Sequence, residues 1–161
     1  MNLKELSAIM GKFAHGVFAT VDENGYPDMR GWEFQFEKDG KLYFTTSSEK
    51  SVYRQMVANP KVAYTCDVNG YHVRISGTAV IVKDAAEKEE IYRTMDPGVQ
   101  AMYPTIDSNG FTVFYIEHGT AMSMFSSSDT RHASVSGISA PNMHRPVNTT
   151  RYGRTARGPN R

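Results

Sequence analysis

Apolar residues at three- and four-residue steps predict an amphipathic helix at the start of the chain. The steps fall on Leu3, Leu6, Met10 and Phe13. Asn2 precedes them and Glu5 follows Asn2 by three positions, which is the spacing of a capping box. We expect this helix to cover one end of a sheet.

Short alternating or β-branched segments, separated by tight-turn pairs, dominate the chain up to residue 125. Strand patterns cover residues 17–21, 29–36, 42–46, 61–68, 71–83, 111–117 and 120–125. The turn pairs between neighbouring strands are Asn24-Gly25, Asp39-Gly40, Asn69-Gly70 and His118-Gly119. This hairpin spacing predicts an antiparallel barrel.

Two further helices interrupt the strands. One covers about 52–56 and is stopped by Asn59-Pro60. The other begins at Asp84, where Glu87 completes a capping-box spacing, and runs to about Asp96-Pro97. The predicted fold class is therefore mainly β with peripheral helices, an antiparallel β-barrel of six to seven strands.

Length and composition indicate one domain followed by a tail. Of the 161 residues, 40% are hydrophobic and 22% charged, an ordinary mixture for a single core. Residues 126–161 differ, because they carry six arginines, one acid, no lysine and no sustained apolar periodicity. We place the domain at 1–125 and interpret 126–161 as a disordered basic tail that buries too little surface to offset its ordering entropy. This tail is either a dispensable extension or a weak arm for anions or nucleic acid.

Charge and cysteine content narrow the classes of function. Lys and Arg number 18 against 17 Asp and Glu, so we do not expect nucleic acid as the partner of the whole chain. The single cysteine, Cys66, excludes an intramolecular disulfide framework and is compatible with a reducing compartment. Because no signal sequence and no apolar stretch of roughly 20 residues is present, we expect a cytoplasmic protein with no membrane role.

The widespread nucleotide-binding and hydrolase motifs are absent from the sequence. G-x-x-x-x-G-K-[ST], G-x-G-x-x-G, H-E-x-x-H and G-x-S-x-G do not occur. The five histidines show no ligand spacing, so we expect no metal site.

The segment 44–50 carries the strongest positive signal. Thr45, Thr46 and Ser48 place hydroxyls at the end of a strand, and Lys50 follows at the start of a helix. Hydroxyls, free backbone N–H groups and a lysine are the parts that hold a phosphate dianion. The alternative interpretation is a serine helix cap beside an exposed lysine.

Arg30 and Trp32 share one strand face with two phenylalanines, Phe34 and Phe36. An arginine among core-facing aromatic rings needs an anionic or carbonyl partner. Alternatively, Arg30 is exposed at the edge of the strand.

A set of ordered motifs resembles one known family. The motifs are Pro27-Asp28-Met29-Arg30, Leu42-Tyr43-Phe44-Thr45-Thr46, Lys50, Asn59-Pro60-Lys61-Val62 and Val73-Arg74-Ile75-Ser76-Gly77. From about Leu3 to Met124 the chain resembles the pyridoxamine 5'-phosphate oxidase-like flavin-binding split barrels. The resemblance implies an antiparallel split β-barrel that forms a homodimer, holds FMN in two clefts at the subunit interface and acts on a small molecule.

The same resemblance assigns cofactor roles to particular residues. The positions are Arg30, Gly31, Trp32, Gln35, Thr45, Thr46, Ser48, Lys50, His72 and Arg74. It implies that 30–35 lines the flavin, that Thr45 and Thr46 meet its ring or ribityl chain, and that Ser48 and Lys50 hold its phosphate. His72 falls where the family's oxidases often place a glutamine near the isoalloxazine, and Arg74 lies two residues beyond.

Two departures from the family pattern argue against pyridoxamine 5'-phosphate as the substrate. The true oxidases usually have Ser-Arg-Lys at the phosphate turn, whereas this chain has Ser48-Glu49-Lys50, with one cation fewer. Nothing after Phe125 matches their late tryptophan and arginine-containing segment, and Trp32 is the only tryptophan. The chain looks closer to the short members of the superfamily.

Two classes of function follow from the resemblance. The first is an FMN-dependent oxidoreductase, in which the flavin transfers hydride or electrons to or from a small molecule and the protein orients it. The alternative is a non-catalytic split barrel that holds flavin or haem for storage, sensing or stress protection. A deazaflavin cofactor is a variant of the first class.

Overall fold

One antiparallel sheet with short helices around it makes up residues 1–125 and 130–135, the part of the chain that the computed structural model describes. Its strands are β1 (His15–Val21), β2 (Pro27–Glu33), β3 (Phe36–Lys38), β4 (Lys41–Ser47), β5 (Lys61–Val68), β6 (Tyr71–Ile81), β7 (Phe111–Phe125) and β8 (Thr130–Val135). The helices are α1 (Leu3–Met10), α2 (Ser51–Ala58), α3 (Ala85–Tyr92) and α4 (Pro97–Met102), and a 3-10 turn spans Ser108–Gly110. Within these residues no helix is long and apolar enough to cross a membrane.

The order of the strands is β2-β1-β5-β6-β7-β4-β3, and β8 pairs with β7. All of these pairings are antiparallel. The predicted mainly β fold with peripheral helices is confirmed, with eight strands rather than six to seven.

The first helix begins as its sequence predicts. The Asn2 side chain accepts from the Glu5 N–H at 2.9 Å, and the Glu5 carboxylate accepts from the Asn2 N–H at 3.0 Å. The helix ends at Met10 and not at Phe13, because Gly11 adopts a φ of 74°. Its buried residues are Leu3, Leu6 and Met10.

Two of the predicted turns adopt the left-handed geometry that joins twisted strands. Asp39 and Gly40 have φ of 51° and 75°, and Asn69 and Gly70 have φ of 51° and 78°. Positive φ at both central residues is the requirement of a type I′ turn, which Asn-Gly and Asp-Gly pairs meet at low cost. The hairpins β3–β4 and β5–β6 therefore follow from local chemistry.

The strand predicted over 29–36 is divided in two. β2 pairs with β1 as far as Glu33, and β3 pairs with β4 from Phe36 onward. Between them the Phe34 N–H donates to Ala14 O at 2.9 Å and the Gln35 N–H donates to Tyr43 O at 3.0 Å. The chain thus changes partners at a barrel corner while its alternation of side chains continues, which is why the pattern did not show the break.

The hairpin predicted at His118-Gly119 is wrong. β7 runs through both residues, and β6 pairs with it on either side of a register shift between Ser76 and Thr78. A Cβ added at Gly119 would lie 1.8 Å from Ser76 O, so the two strands approach closely there. His118 has a φ of 49°, a conformation that serves a β-bulge as well as a turn. The bulge lets both long strands bend around the barrel.

Residues 130–135 form β8, although the sequence analysis placed them in a disordered tail. They pair with 119–124 of β7, in the register Thr130 opposite Met124 and Val135 opposite Gly119. Strand pairing uses backbone groups, so it does not need the apolar periodicity whose lack led to the tail interpretation. Residues 126–129 and 136–161 lie outside the described part of the chain.

Two apolar clusters hold the elements together. The barrel interior is filled by aromatic rings, with Phe44 in contact with Phe18, Phe34, Tyr64 and Phe114. A second cluster lies beneath α3 and α4 and includes Phe36, Tyr43, Ile91, Met95, Tyr103, Phe111 and Val113. The second cluster matters for function because it seats α4 beside the end of β4.

Candidate cofactor site

A cleft of ≈ 390 Å³ lies between the barrel and α4. Six of the predicted cofactor residues line it together: Gly31, Trp32, Gln35, Thr45, Thr46 and Lys50. The other lining residues are Glu33 and, from the α4 side, Asp96, Gly98, Val99, Met102 and Tyr103. Residues from β2, β4, the start of α2 and α4 thus meet at one place, although they are up to 72 positions apart from Gly31 to Tyr103.

Thr46, one of the residues that line this cleft, has a buried hydroxyl without a partner. Its side chain is 2% exposed, and no group in the described part of the chain forms a hydrogen bond with its Oγ1. Leaving a buried hydroxyl without a partner costs about 1–3 kcal/mol. A bound molecule with a polar group at this point would remove that cost.

Lys50 supplies an available cation at the same cleft. It is exposed at the position before α2, and no carboxylate of the described residues forms an ion pair with it. The turn that carries Lys50 is fixed, because the Ser47 hydroxyl donates to Asn109 O at 2.5 Å and accepts from the Glu49 N–H at 3.2 Å. The ammonium is therefore presented from a defined backbone.

Ser48 is near the cleft but is not part of its lining. Its N–H donates to Gly110 O at 2.8 Å, and the side chain is exposed. A Cβ at Gly110 would lie 2.4 Å from Ser48 Oγ, so the turn packs directly on the backbone before β7. Ser48 thus helps to hold the turn that presents Lys50.

Gly31 and Trp32 form the β2 side of the cleft. A Cβ added at Gly31 would meet nothing within 4 Å, so open space lies over its backbone. The Trp32 ring packs on Phe18 with the ring centroids 5.5 Å apart. A flat molecule can therefore lie close to the main chain of β2.

Gln35 lines the cleft but uses both ends of its carboxamide on the protein. Nε2 donates to Glu33 Oε1 at 2.7 Å, and Oε1 accepts from the Asp96 N–H at 3.1 Å. The residue is 0% exposed. These two bonds fix the orientation of the carboxamide at the edge of the cleft.

Arg30 lies outside the cleft, in a network between β1, β2 and α2. It donates to Thr20 Oγ1 at 2.6 Å and to Gln55 Oε1 at 2.9 Å, and it forms an ion pair with Asp28 at 2.6 Å. The hydrogen bond from Gln55 and the Arg30 guanidinium hold the pKa of Asp28 below its usual value. The anionic partner that Arg30 requires is thus Asp28.

His72 and Arg74 lie on a different face of the barrel. Both line a groove of ≈ 510 Å³ whose lining residues come from β1, β2, β5, β6, β7 and β8, among them the apolar Val17, Met29 and Met122. Nδ1 of His72 lies 2.6 Å from Asp67 Oδ1. Within one chain, the structure does not bring these two residues to the cleft.

Cys66 is buried away from the cleft, and the described residues assemble no metal centre. Burial raises the pKa of the Cys66 thiol, which does not line the cleft. No three His, Cys, Asp or Glu side chains of residues 1–125 and 130–135 are grouped so that they could hold a metal ion.

A comparison with family models decides the family. The model for pyridoxamine 5'-phosphate oxidase matches residues 3–131, most of the chain. The chain belongs to the pyridoxamine 5'-phosphate oxidase family. A search of curated proteins found none that matches.

Solved structures of this family and fold cover most of the chain. A NimC/NimA family protein from Clostridium acetobutylicum is 25% identical, with a TM-score of 0.69, and the match covers 80% of this chain and 91% of that one. A pyridoxamine 5'-phosphate oxidase-related, FMN-binding protein from Nostoc punctiforme is 12% identical, with a TM-score of 0.61 and coverage of 80% and 82%. A haem-binding protein from Mycobacterium smegmatis is 14% identical, with a TM-score of 0.64 and coverage of 80% and 58%. The last two show the fold alone.

The wall that α4 gives to this member of the pyridoxamine 5'-phosphate oxidase family was not predicted. Glu33 lies within the segment 30–35 that the resemblance assigned to the flavin, whereas no sequence pattern indicated Val99, Met102 or Tyr103. The Asp96-Pro97-Gly98 sequence is a helix-start signature, and the Asp96 carboxylate does accept from the Gly98 N–H at 2.7 Å. That signature locates the helix but not the cleft beside it, which depends on the fold.

Proposed function

We propose that this protein is an FMN-dependent oxidoreductase acting on a small molecule. The observation that carries the proposal is the cleft in which the partnerless Thr46 hydroxyl and the unpaired Lys50 ammonium lie beside the open backbone of Gly31. FMN consists of a phosphate, a polyhydroxy chain and a flat ring. The Lys50 ammonium suits the phosphate, the Thr46 hydroxyl suits the polyhydroxy chain, and the open backbone of Gly31 suits the ring. Membership of the pyridoxamine 5'-phosphate oxidase family supports the same cofactor.

Each side chain has a defined part in holding FMN. Lys50 and the start of α2 neutralise the phosphate, since a charged group and a helix N-terminus both favour an anion. Thr45 and Thr46 offer hydroxyls to the ribityl chain, and the main chain of β2 at Gly31 and Trp32 accommodates the ring. When bound, FMN supplies the hydride or electron transfer, and the protein provides orientation and exclusion of water.

Pyridoxamine 5'-phosphate does not fit as the substrate. Glu49 stands in the phosphate turn next to Lys50, and its carboxylate is exposed there. One ammonium beside one carboxylate leaves little positive charge at this turn beyond what the FMN phosphate needs. The substrate we propose is therefore a molecule without a phosphate group.

We also propose that two copies of the chain associate through the face that carries the ≈ 510 Å³ groove. The groove is lined mainly by apolar residues, and Val17 and Met29 are 39% and 67% exposed. Burial of exposed apolar surface of this kind against a partner is favourable, and such patches on a sheet face commonly mark protein–protein contacts. His72 and Arg74 line the same face, so pairing would carry them toward the second copy, which is the arrangement the family resemblance implies.

Haem is the less favoured ligand for this cleft. None of the residues that line it is a histidine, so the usual axial ligand of haem is lacking there within the described part of the chain. A non-catalytic flavin-binding role remains as the second candidate, because a flavin site by itself does not require a substrate.

The visible spectrum of the purified protein tests the proposed function. We expect flavin bands, or their appearance when FMN is added, with one FMN per chain. A Soret band would favour haem. Protein that stays colourless after incubation with FMN would reject the proposal. Turnover of an added electron donor by the FMN-loaded protein would then separate an enzyme from a flavin-binding protein without activity.

A further inference from the structure

We propose that Gln35 positions the α4 wall of the cleft and that this wall selects flat molecules without a negative charge as substrates. The proposal rests on the FMN function proposed above, because it concerns the space left beside the flavin. It assigns to Gln35 a role that acts through other residues, in place of a direct contact with the cofactor.

The hydrogen bonds of Gln35 connect β2 to the start of α4. Its Nε2 donates to Glu33 Oε1 at 2.7 Å and its Oε1 accepts from the Asp96 N–H at 3.1 Å, so one carboxamide joins β2 to the start of α4. Its backbone N–H donates to Tyr43 O, and its carbonyl accepts from the Phe13 N–H. Because the residue is fully buried and both ends of its carboxamide are bonded to the protein, it acts as a strut, a side chain that fixes the distance between β2 and α4.

The weakness of α4 makes this strut important. The helix has six residues, none of which is buried. Its far end is held by Tyr103, which is buried in the second core cluster and accepts from the Tyr92 hydroxyl at 2.6 Å. At the near end, Met95 is buried in the second core cluster, and the bond from the Asp96 N–H to Gln35 fixes the first turn of the helix against β2. A short helix fixed at both ends keeps its place, whereas one released at one end opens locally at low cost.

The chemistry of the wall defines the molecule that can lie against it. Val99, Met102 and Tyr103 present apolar and aromatic surface to the cleft, and Met102 is 61% exposed. Glu33 and Asp96 line the same region, so an anion there meets two carboxylates. Lys50 lies at the part of the cleft that we assign to the FMN phosphate. An uncharged ring system therefore fits between the wall and the flavin better than an anionic one.

Backbone hydrogen exchange of the protein without FMN tests the strut. In Gln35→Leu, which keeps the side-chain size but loses both hydrogen bonds, amides of residues 96–103 should exchange at least tenfold faster than in the wild type. Gln55→Leu is the matched control, because Gln55 also uses its amide at both ends but lies in the Arg30 network outside the cleft. Equal exchange of 96–103 in Gln35→Leu and wild type would overturn the strut.

Binding of two probes to the FMN-loaded protein tests the wall. By equilibrium dialysis, the wild type should bind 2-naphthol at least tenfold more tightly than 2-naphthalenesulfonate, which has the same ring and a negative charge. Gln35→Leu should lose about tenfold in 2-naphthol affinity and keep its FMN affinity within threefold. A loss of FMN affinity as large as the loss of 2-naphthol affinity would show that Gln35 contacts the cofactor, which overturns the proposal.

Met102→Ala keeps the wall testable if Gln35→Leu does not fold. Because Met102 is exposed, its replacement should leave stability and the exchange of 96–103 unchanged while 2-naphthol affinity falls. Unchanged 2-naphthol affinity in this variant, or equal binding of both probes by the wild type, would overturn the selection of rings without a negative charge. Failure of the wild type to bind FMN would instead reject the proposed function, and the exchange experiment would still decide the strut.

Discussion

Thr46 and Lys50 line one cleft, the first with a buried hydroxyl that lacks a partner and the second with an ammonium that lacks an ion pair among the described residues. They are four positions apart, at the end of β4 and at the start of α2. Two polar groups without protein partners at one cleft are the features on which the proposed cofactor site rests.

Replacing Lys50 should affect FMN far more than riboflavin. A charge-assisted contact with a phosphate contributes about 1.5–3 kcal/mol, so Lys50→Ala should weaken FMN binding by about one to two orders of magnitude. Riboflavin, which lacks the phosphate, should bind nearly as before. Titration followed by flavin fluorescence measures both. Lys61→Ala, an exposed lysine on β5, is the control. Equal losses for both flavins would place the phosphate elsewhere.

Replacing Thr46 should change stability and affinity in opposite directions. Thr46→Val keeps the shape and removes the buried, partnerless hydroxyl, so the free energy of unfolding without FMN should rise by about 1 kcal/mol. FMN affinity should fall by about three- to tenfold, the value of one hydrogen bond. Thr112→Val is the control, because the Thr112 hydroxyl donates to Gly110 O and its loss should only destabilise. Denaturant unfolding and FMN titration give the two quantities, and a stability loss in Thr46→Val would contradict the interpretation.

Asp28 should contribute stability that depends on pH. Its pKa in the folded protein is lowered from 3.8, first by the hydrogen bond from Gln55 and then by Arg30. A lowered pKa means that the folded state binds the proton less well than the unfolded state, so the contribution is present above about pH 4 and disappears as the pH falls through the folded value. The difference in unfolding free energy between wild type and Asp28→Asn should therefore be constant near neutral pH and shrink in acid. A difference that does not shrink at all as the pH is lowered below about 4 would exclude this origin.

The groove face should control association. Light scattering should return twice the 18.0 kDa mass of the chain. Met29→Lys places a charge on the groove and should give the single-chain mass. Met102→Lys, a similarly exposed methionine outside the groove, should leave the mass doubled. A monomer in the wild type with FMN present, or no effect of Met29→Lys, would exclude this interface.

Truncation should separate β8 from the residues that follow it. Ending the chain after Val135 should leave the melting temperature within about 2 °C, since residues 136–161 offer little apolar surface. Ending it after Phe125 removes the pairing of β8 with residues 119–124 of β7, and the melting temperature should fall by several degrees. Calorimetry measures both proteins. A large loss in the longer form would show that residues beyond 135 pack on the domain.

Structural features that depend only on residues close together in the sequence were predicted correctly. The Asn2–Glu5 capping box and the Asn69-Gly70 turn depend on residues within a few positions, and both are present. The partners of Arg30 were not predictable, because Gln55 comes from a helix 25 positions away. The barrel corner at Phe34 and Gln35 was missed for a similar reason, since the partner strand changes without a change in the local pattern.

The candidate site also has a part that could be predicted and a part that could not. Six residues assigned by the resemblance meet in one cleft, because the fold brings β2, β4 and the start of α2 together. The α4 wall was missed, since its position is determined by contacts with Gln35 and with the second core cluster. Sequence patterns that identify a helix start do not reveal which surface the helix will face.

The segment between β6 and β7 can be exchanged as a unit, because its two ends lie next to each other in the sheet. The chain leaves β6 at Ile81, opposite Phe114, and the Val82 N–H still donates to Val113 O at 2.9 Å, so departure and return are neighbours in the sheet. Residues 83–107, which carry α3 and α4, can therefore be replaced by another segment of suitable ends, while Val82, Asn109 and Gly110 keep their bonds to the barrel and to the turn that carries Lys50. Grafting different segments at these two points would produce a series of proteins with one cofactor site and many substrate walls.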